Sequence, residues 1–358
     1  MRPGACSAGR QRLAGRRPRR AHLIERASPS SPTCLGSLMT TPLLPRRRLG
    51  AAMAGLLLGP AAGHAQSPRV LRLSYQRSSS LLQLLQQSGK LEKAIAPHGF
   101  TLEWSLLSQD VMRIGGVELH GDTAEPVPLF VHPANPTLTL YAAEGPSPHA
   151  VGLLVPEASP IHSLTDLRGR TIGTSRGSSS HDLMLRALRQ AKLTLRDVTP
   201  AYLAAPDAAA AFERGSLDAW AIFDPFFAVT QERAPTRVLA DGAGLGMQYD
   251  RYYMVNADFA LAHGEIVQIV FDALRETGRW VTANPKEAAP LLSHLWGNVP
   301  LNTVERVNAR RVYDVRAIGP QDIANLQTLS DIFAEAGILR QPVVASGFPI
   351  WTPRRITG

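Results

Sequence analysis

The stretch Arg176-Gly177-Ser178-Ser179-Ser180-His181-Asp182 concentrates the residue types that could do chemistry. It follows a short β-branched segment, Thr171–Thr174, and opens a run with apolar residues at Leu183, Ala187, Leu188 and Ala191, which is helical spacing. A strand, a glycine turn, a run of hydroxyls and a helix together aim backbone N–H groups and Ser hydroxyls at one point. The helix dipole makes that point favourable for an anion. A single Ser there is an ordinary N-cap. Three after a Gly leave hydroxyls that a cap does not use, so a cap and an anion site both stay open. His181 and Ser180 are a poor nucleophile–base pair, because adjacent helical residues face apart. His181 reads as a ligand-facing donor or a helix-surface residue.

Other candidates end expected strands. Gln76, Asp122 and Thr123 do so in the first half of the chain, where plain turn chemistry would place the same residues. Trp220 sits in an apolar strand, as core or as cleft wall. Asp224 precedes Pro225 at the end of that strand, in a turn or at a site. Tyr253, beside Tyr252, reads as core or cleft. A bare carboxylate repels an anion, so Asp122 and Asp224 would orient a neighbour or meet a polar end of a ligand. The phosphate-binding loop, the dinucleotide Gly-x-Gly-x-x-Gly, His-Glu-x-x-His and Gly-x-Ser-x-Gly are all absent. Cys6 and Cys34 are the only cysteines, and the His residues of the body are scattered. No disulfide, thiol nucleophile, metal site or cofactor is expected after residue 65.

What must position these residues is a body near charge neutrality. The 358-residue chain carries a net +9, which on its face suggests a nucleic-acid binder. Residues 1–65 hold eleven Arg and one acid, Glu25, a net +10 that leaves −1 for residues 66–358. Nucleic acid is therefore excluded as the body's partner. Residues 46–65 run from Arg46-Arg47-Arg48 through an apolar stretch, Leu49–Ala62, to Gly63 and Ala65. This is an export signal with cleavage expected after Ala65, by a twin-arginine or a secretory route, and it places the protein in the periplasm. The apolar stretch is too short for a permanent span. Met39 would begin a signal of normal length.

From residue 66 onward, short β-branched and apolar runs alternate with helical patterns. Val70–Tyr75, Thr101–Leu106, Leu138–Ala142, Val151–Val155, Ala219–Phe223 and Tyr252–Val255 read as strands, and 264–282, 285–296 and 320–336 as helices. The alternation predicts a mainly parallel α/β sheet in each of two units. Two such units joined by extended segments predict a ligand cleft between lobes.

These residues resemble the periplasmic aliphatic-sulfonate-binding proteins of ABC importers, within the wider taurine, nitrate and pyrimidine-precursor binding group. The resemblance runs through Leu73-Ser74-Tyr75-Gln76-Arg77, Ser159-Pro160-Ile161 with Leu164–Gly169, Gly177–His181 with Leu185–Leu188, Ala210–Pro225, and Arg237–Gly242. It implies an α/β, type II periplasmic-binding-protein fold with a ligand cleft at a hinge. Lobe 1 is then 66–157 plus 256–358 and lobe 2 is 158–255. It also implies a monomeric receptor, not an enzyme, that passes an alkanesulfonate to an inner-membrane permease. By position, Ser179, Ser180 and His181, with Ser178 beside them, would contribute to the sulfonate site from lobe 2, and hydroxyls and N–H groups at a helix start can bind such an anion without any Lys or Arg. Gln76, Asp122 and Thr123 would face it from lobe 1, and Trp220, Asp224 and Tyr253 would line the wall. Taurine, nitrate or a thiamine-pyrimidine precursor is the near alternative as ligand. Desulfinases share the fold, but they use a Cys nucleophile that this body lacks. Between Trp104 and Gly115 the chain is shorter than the family runs, so Ser108–Met112 is expected to take a shorter path along the cleft edge.

Overall fold

The structure is a computed structural model and describes residues 69–76, 78–106 and 116–354. The expected leader and its signal at 46–65, Arg77 and the expected Ser108–Met112 path lie outside the described residues. The chain begins with β1 (Arg69–Tyr75), α1 (Ser80–Ser88), α2 (Lys90–Ile95), β2 (Phe100–Leu106), β3 (Leu119–Ala124), α3 (Val127–Val131) and β4 (Leu138–Glu144). It then crosses to a second sheet made of β5 (Val151–Pro156), β6 (Thr171–Thr174), β7 (Thr199–Tyr202), β8 (Ala219–Phe223) and β9 (Thr236–Asp241). Helices α4 (Ser179–Gln190), α5 (Ala205–Glu213) and α6 (Phe226–Arg233) connect those strands. The chain returns through β10 (Arg251–Asn256), α7 (Ala257–Ala262), α8 (Gly264–Ala283), α9 (Pro285–Leu295), α10 (Leu301–Arg310), β11 (Val315–Arg316) and α11 (Pro320–Glu335).

The first sheet is ordered β11-β4-β10-β3-β1-β2 and the second β7-β6-β8-β5-β9. Both are mixed rather than mainly parallel. β1 pairs parallel with β2 and β3, and β6 with β7 and β8. β10 is antiparallel to β3 and β4, and β5 is antiparallel to β8 and β9. The reason is topological. β5 and β10 are the strands reached directly from the other sheet, so neither needs the helical crossover that makes a neighbour parallel. The same crossings correct the expected lobe limits. Val151–Pro156 belongs to the second sheet and Arg251–Val255 to the first, so the chain changes lobe near residues 145–150 and 242–250.

Packing follows the patterning. α8 buries Ile266, Val267, Val270, Phe271, Leu274 and Val281, one apolar stripe at three- and four-residue spacing, against the first sheet. α4 does the same for the second with Leu183, Met184, Ala187 and Leu188. Contacts of α10 with α6 and of α11 with α4 join the lobes. Arg310 of α10 sits 3.5 Å from Asp224, 2.6 Å from Gln231 Oε1 and 4.2 Å from the centre of the Phe227 ring. The Phe333 ring of α11 meets His181 edge-on at 5.2 Å.

Candidate ligand-binding cleft

A cavity of about 120 Å³ lies between the two sheets. Its walls come from the C-terminal ends of β1, β3, β6 and β8, where open α/β sheets place ligands because no helix covers that edge. Gln76 and Ser78 follow β1, Asp122 and Ala124 end β3, Gly177–Ser179 follow β6, and Phe223 ends β8. Tyr249 and Arg251 close it from the returning crossing, with Val127 beside them. A groove of about 870 Å³ adjoins it at Ser78 and carries Tyr75, Phe226, Val229, Trp296 and Val299.

The lobe 2 wall is built by the start of α4. Gly177 has φ +70°, which lets the chain reverse between β6 and the helix. No serine caps the helix by side chain. Ser178 Oγ donates to the Ser175 carbonyl at 2.7 Å and also meets Ser180 Oγ at 2.7 Å. Ser180 Oγ in turn accepts from Thr174 Oγ1. Ser179 Oγ, fully buried, has no hydrogen-bond partner among the described residues. The helical bonding begins at His181 N and Asp182 N, so the N–H groups of Ser179 and Ser180 precede it. This wall presents donors and a positive dipole end but no formal charge.

The lobe 1 wall is the opposite. Asp122 Oδ1 and Oδ2 both accept from Arg251 Nη1 at 2.9 Å, and Arg251 Nη2 donates to Tyr249 Oη at 3.3 Å. Arg311 lies behind them. It donates to Glu144 Oε1 at 2.7 Å and to Ser80 Oγ at 2.7 Å, and its Nη2 stands 3.7 Å from Asp122 Oδ2. Tyr253 Oη donates to Glu144 Oε2 at 2.6 Å. The Ser78 carbonyl accepts from both guanidiniums at 3.2 Å. Burial pushes the Asp122 carboxyl up to about 6, with Arg251 opposing and the Glu144 charge adding to the rise. Glu144 is held below its ordinary range by Arg311, Arg251 and the Tyr253 hydroxyl, which outweigh its burial. Asp122 also has φ +51°, a strained conformation for a residue with a side chain. Its predecessor must be Gly121, where a Cβ would overlap Leu82.

The structure gathers Gln76, Asp122, Ser178 and Ser179 on this cavity and directs the other sequence candidates elsewhere. Thr123 points to the opposite face of β3 and donates to the Tyr252 carbonyl. Ser180 turns to β6. His181 Nδ1 accepts from Gly177 N at 3.1 Å, and its ring packs between Tyr202 and Phe333. Burial and Arg176 lower it to about 4. Trp220 is core, tilted against Phe212 at 5.9 Å. Asp224 accepts from Ala228 N at the start of α6 and is raised by burial to about 6. Tyr253 is buried on Glu144. Arg251 also lines the cavity, a residue that sequence reasoning did not name. The signal for it was a charged residue heading an apolar strand, which must find a buried partner. Phe223, which ends β8, takes the wall position given to Trp220.

Residues 147–288 match the NMT1/THI5-like family model. Over 312 residues the chain is 31% identical to an aliphatic sulfonates-binding protein of Escherichia coli K12, covering 86% of this chain and 97% of that one. The chain belongs to the aliphatic sulfonates-binding protein family. The periplasmic aliphatic sulphonate binding protein SsuA from E. coli superposes with a TM-score of 0.72 at 30% identity, over 82% of this chain and 95% of that one. The alkanesulfonate-binding protein SsuA from Xanthomonas axonopodis pv. citri, bound to MOPS, gives 0.73 at 31%, over 80% and 99%. The fold of this family member is thus the two-lobed periplasmic-binding-protein fold. A desulfurization enzyme, DSZB, shares that fold at 18% identity, TM-score 0.61, over 78% of this chain and 96% of its own. Among the described residues of this family member no three of His, Cys, Asp and Glu are grouped to hold a metal ion, and no helix is long and apolar enough to cross a membrane.

Proposed function

We propose that this chain is the extracytoplasmic solute-binding receptor of an ABC importer. It takes an aliphatic sulfonate between its lobes and delivers it to a membrane permease for sulfur uptake, as a monomer exported by the signal at 46–65. The observation that carries this reading is Ser179. Its fully buried hydroxyl lacks a protein partner at the start of a helix, across the cavity from Arg251. A buried hydroxyl without a partner is unfavourable by about 1–3 kcal/mol unless a ligand satisfies it.

A sulfonate is ionised at neutral pH and has three acceptor oxygens. Ser178, Ser179 and the first N–H groups of α4 supply donors from one lobe, and Arg251, Gln76 and Tyr249 supply them from the other. The head group thereby links both walls and favours the closed arrangement. The alkyl portion is left to Val127, Phe223 and the apolar groove beyond. The protein acts by binding rather than by catalysis: the only thiols are Cys6 and Cys34, so the body has no sulfur nucleophile.

The test is calorimetric titration of the purified chain with methane- to octanesulfonate, taurine, nitrate and sulfate, in buffers that are not themselves sulfonates. Alkanesulfonates are expected to bind more tightly than sulfate, whose second charge has no counterpart in a charge-balanced cavity. Absence of binding to every sulfonate overturns the reading.

A further inference from the structure

The cavity wall contains a balanced set of charges. Asp122 and Glu144 carry two negative charges and Arg251 and Arg311 two positive, all four side chains at most 6% exposed. They interlock: Arg251 on both oxygens of Asp122, Arg311 on Glu144 and 3.7 Å from Asp122. Among the described residues, the other titratable groups facing Asp122 are Tyr249 on the returning crossing and Tyr253 on β10, both raised by burial and so neutral. The second-lobe groups on the same cavity, Ser178, Ser179 and Phe223, do not titrate near neutrality. A sulfonate adds one negative charge to this neutral, desolvated set, and it is too strong an acid to take a proton itself.

On the reading that the ligand is a sulfonate, we infer that binding is coupled to the uptake of one proton, which lands on Asp122. The balance is simple: R–SO₃⁻ and H⁺ enter together, the Asp122 carboxylate becomes a carboxylic acid, and no other bond changes. Arg251 Nη1, held by both Asp122 oxygens in the unliganded wall, becomes free to donate to the sulfonate. Asp122 is the acceptor for three reasons. It lines the cavity whereas Glu144 does not. Glu144 keeps the Tyr253 hydroxyl and two Arg311 nitrogens, which favour its ionised form. Asp122 already stands at about 6 before a further negative charge arrives beside it. The proton is in effect a second ligand, and Asp122 sets the pH range in which the receptor loads.

The experiment is titration of the full chain with ethanesulfonate in pairs of non-sulfonate buffers of different ionisation enthalpy, from pH 6 to 8. The buffer dependence of the heat reports protons taken up per ligand bound. Uptake approaching one proton is expected on the alkaline side. Affinity is expected to weaken by up to tenfold per pH unit above the unliganded pKa and to level off below it. Asp122→Asn is expected to abolish both the uptake and the pH dependence while binding at pH 8 at least as tightly as the unaltered chain. Binding with no proton uptake by the unaltered chain overturns the inference, whether or not the variant folds. So does Asp122→Asn that loses affinity equally at every pH, which marks Asp122 as only a support for Arg251. Absence of any binding at any pH overturns the sulfonate reading instead.

Discussion

On the lobe 1 side of the cleft, Asp122 and Arg251 are formal charges held within a buried set of four. On the lobe 2 side, Ser178, Ser179 and the start of α4 offer only hydroxyls, N–H groups and a helix dipole. The difference follows from where each wall sits. The lobe 1 wall is enclosed by the returning strand β10 and by Arg311 behind it, so its charges can be paired with one another and kept from water. The lobe 2 wall is a helix start, whose donors need no counter-charge. One lobe therefore supplies charge and the other supplies direction. A cleft built this way can release an anion on opening, because the guanidinium regains Asp122 as its partner.

Four changes break or sharpen that contrast. Arg251→Met removes the only cation that lines the cavity among the described residues, and strands Asp122. Destabilisation of about 3–5 kcal/mol is expected in denaturant unfolding, with sulfonate binding lost in calorimetry. Trp220→Leu tests the other side of lobe 2. It should lower stability by about 2–3 kcal/mol by opening space beside Phe212, yet leave affinity unchanged. A loss of affinity there would return Trp220 to the cleft. The double change Ser178→Ala, Ser179→Ala should weaken sulfonate binding by about 1–3 kcal/mol in titration without comparable loss of stability. Unchanged affinity would leave the lobe 2 wall as mere packing.

The smallest effect concerns His181, held neutral by burial and lowered to about 4. Its folded pKa lies below its ordinary value, so its contribution is present above about pH 6.5 and is lost as pH falls toward 4. His120, also lowered to about 4 by burial, acts in the same sense. Asp122, Asp224 and Asp250, raised to about 6, act in the opposite sense and gain stability over the same acid range. Replacing His181 by Phe should therefore remove about 1 kcal/mol of the stability change between pH 7 and 5.5 in denaturant melts. An unaltered difference would mean the ring is solvated when the lobes part.

The loop that opens α4 was legible because all its parts are local. Gly177, three hydroxyls and a helical apolar stripe lie within a few residues of one another. Even there, only Ser178 and Ser179 line the cavity, since Ser180 is turned to β6 by its bond with Thr174. The lobe 1 wall was not legible in full. Asp122 and Gln76 could be named as strand-end polar residues, but Asp122 meets Arg251 across 129 positions and Ser80 meets Arg311 across 231. No local spacing encodes those pairings. Trp220 was misplaced for a related reason. Strand alternation puts Trp220 and Ile222 on one face of β8 and Ala221 and Phe223 on the other, and only the packing of α5 shows which face is covered.

The sequence by itself determined what local chemistry can determine. That includes the α/β elements and their two-unit arrangement, the near-neutral charge of residues 66–358 beside an Arg-rich first 65, the absence of Cys after residue 34, and a hydroxyl-rich helix start. Tertiary structure decided which strands cross between the sheets, which way β5 and β10 run, and which buried guanidinium shares the cavity with Ser179. Those are long-range outcomes, because a charge in a strand finds its partner only when distant segments pack and water is excluded between them.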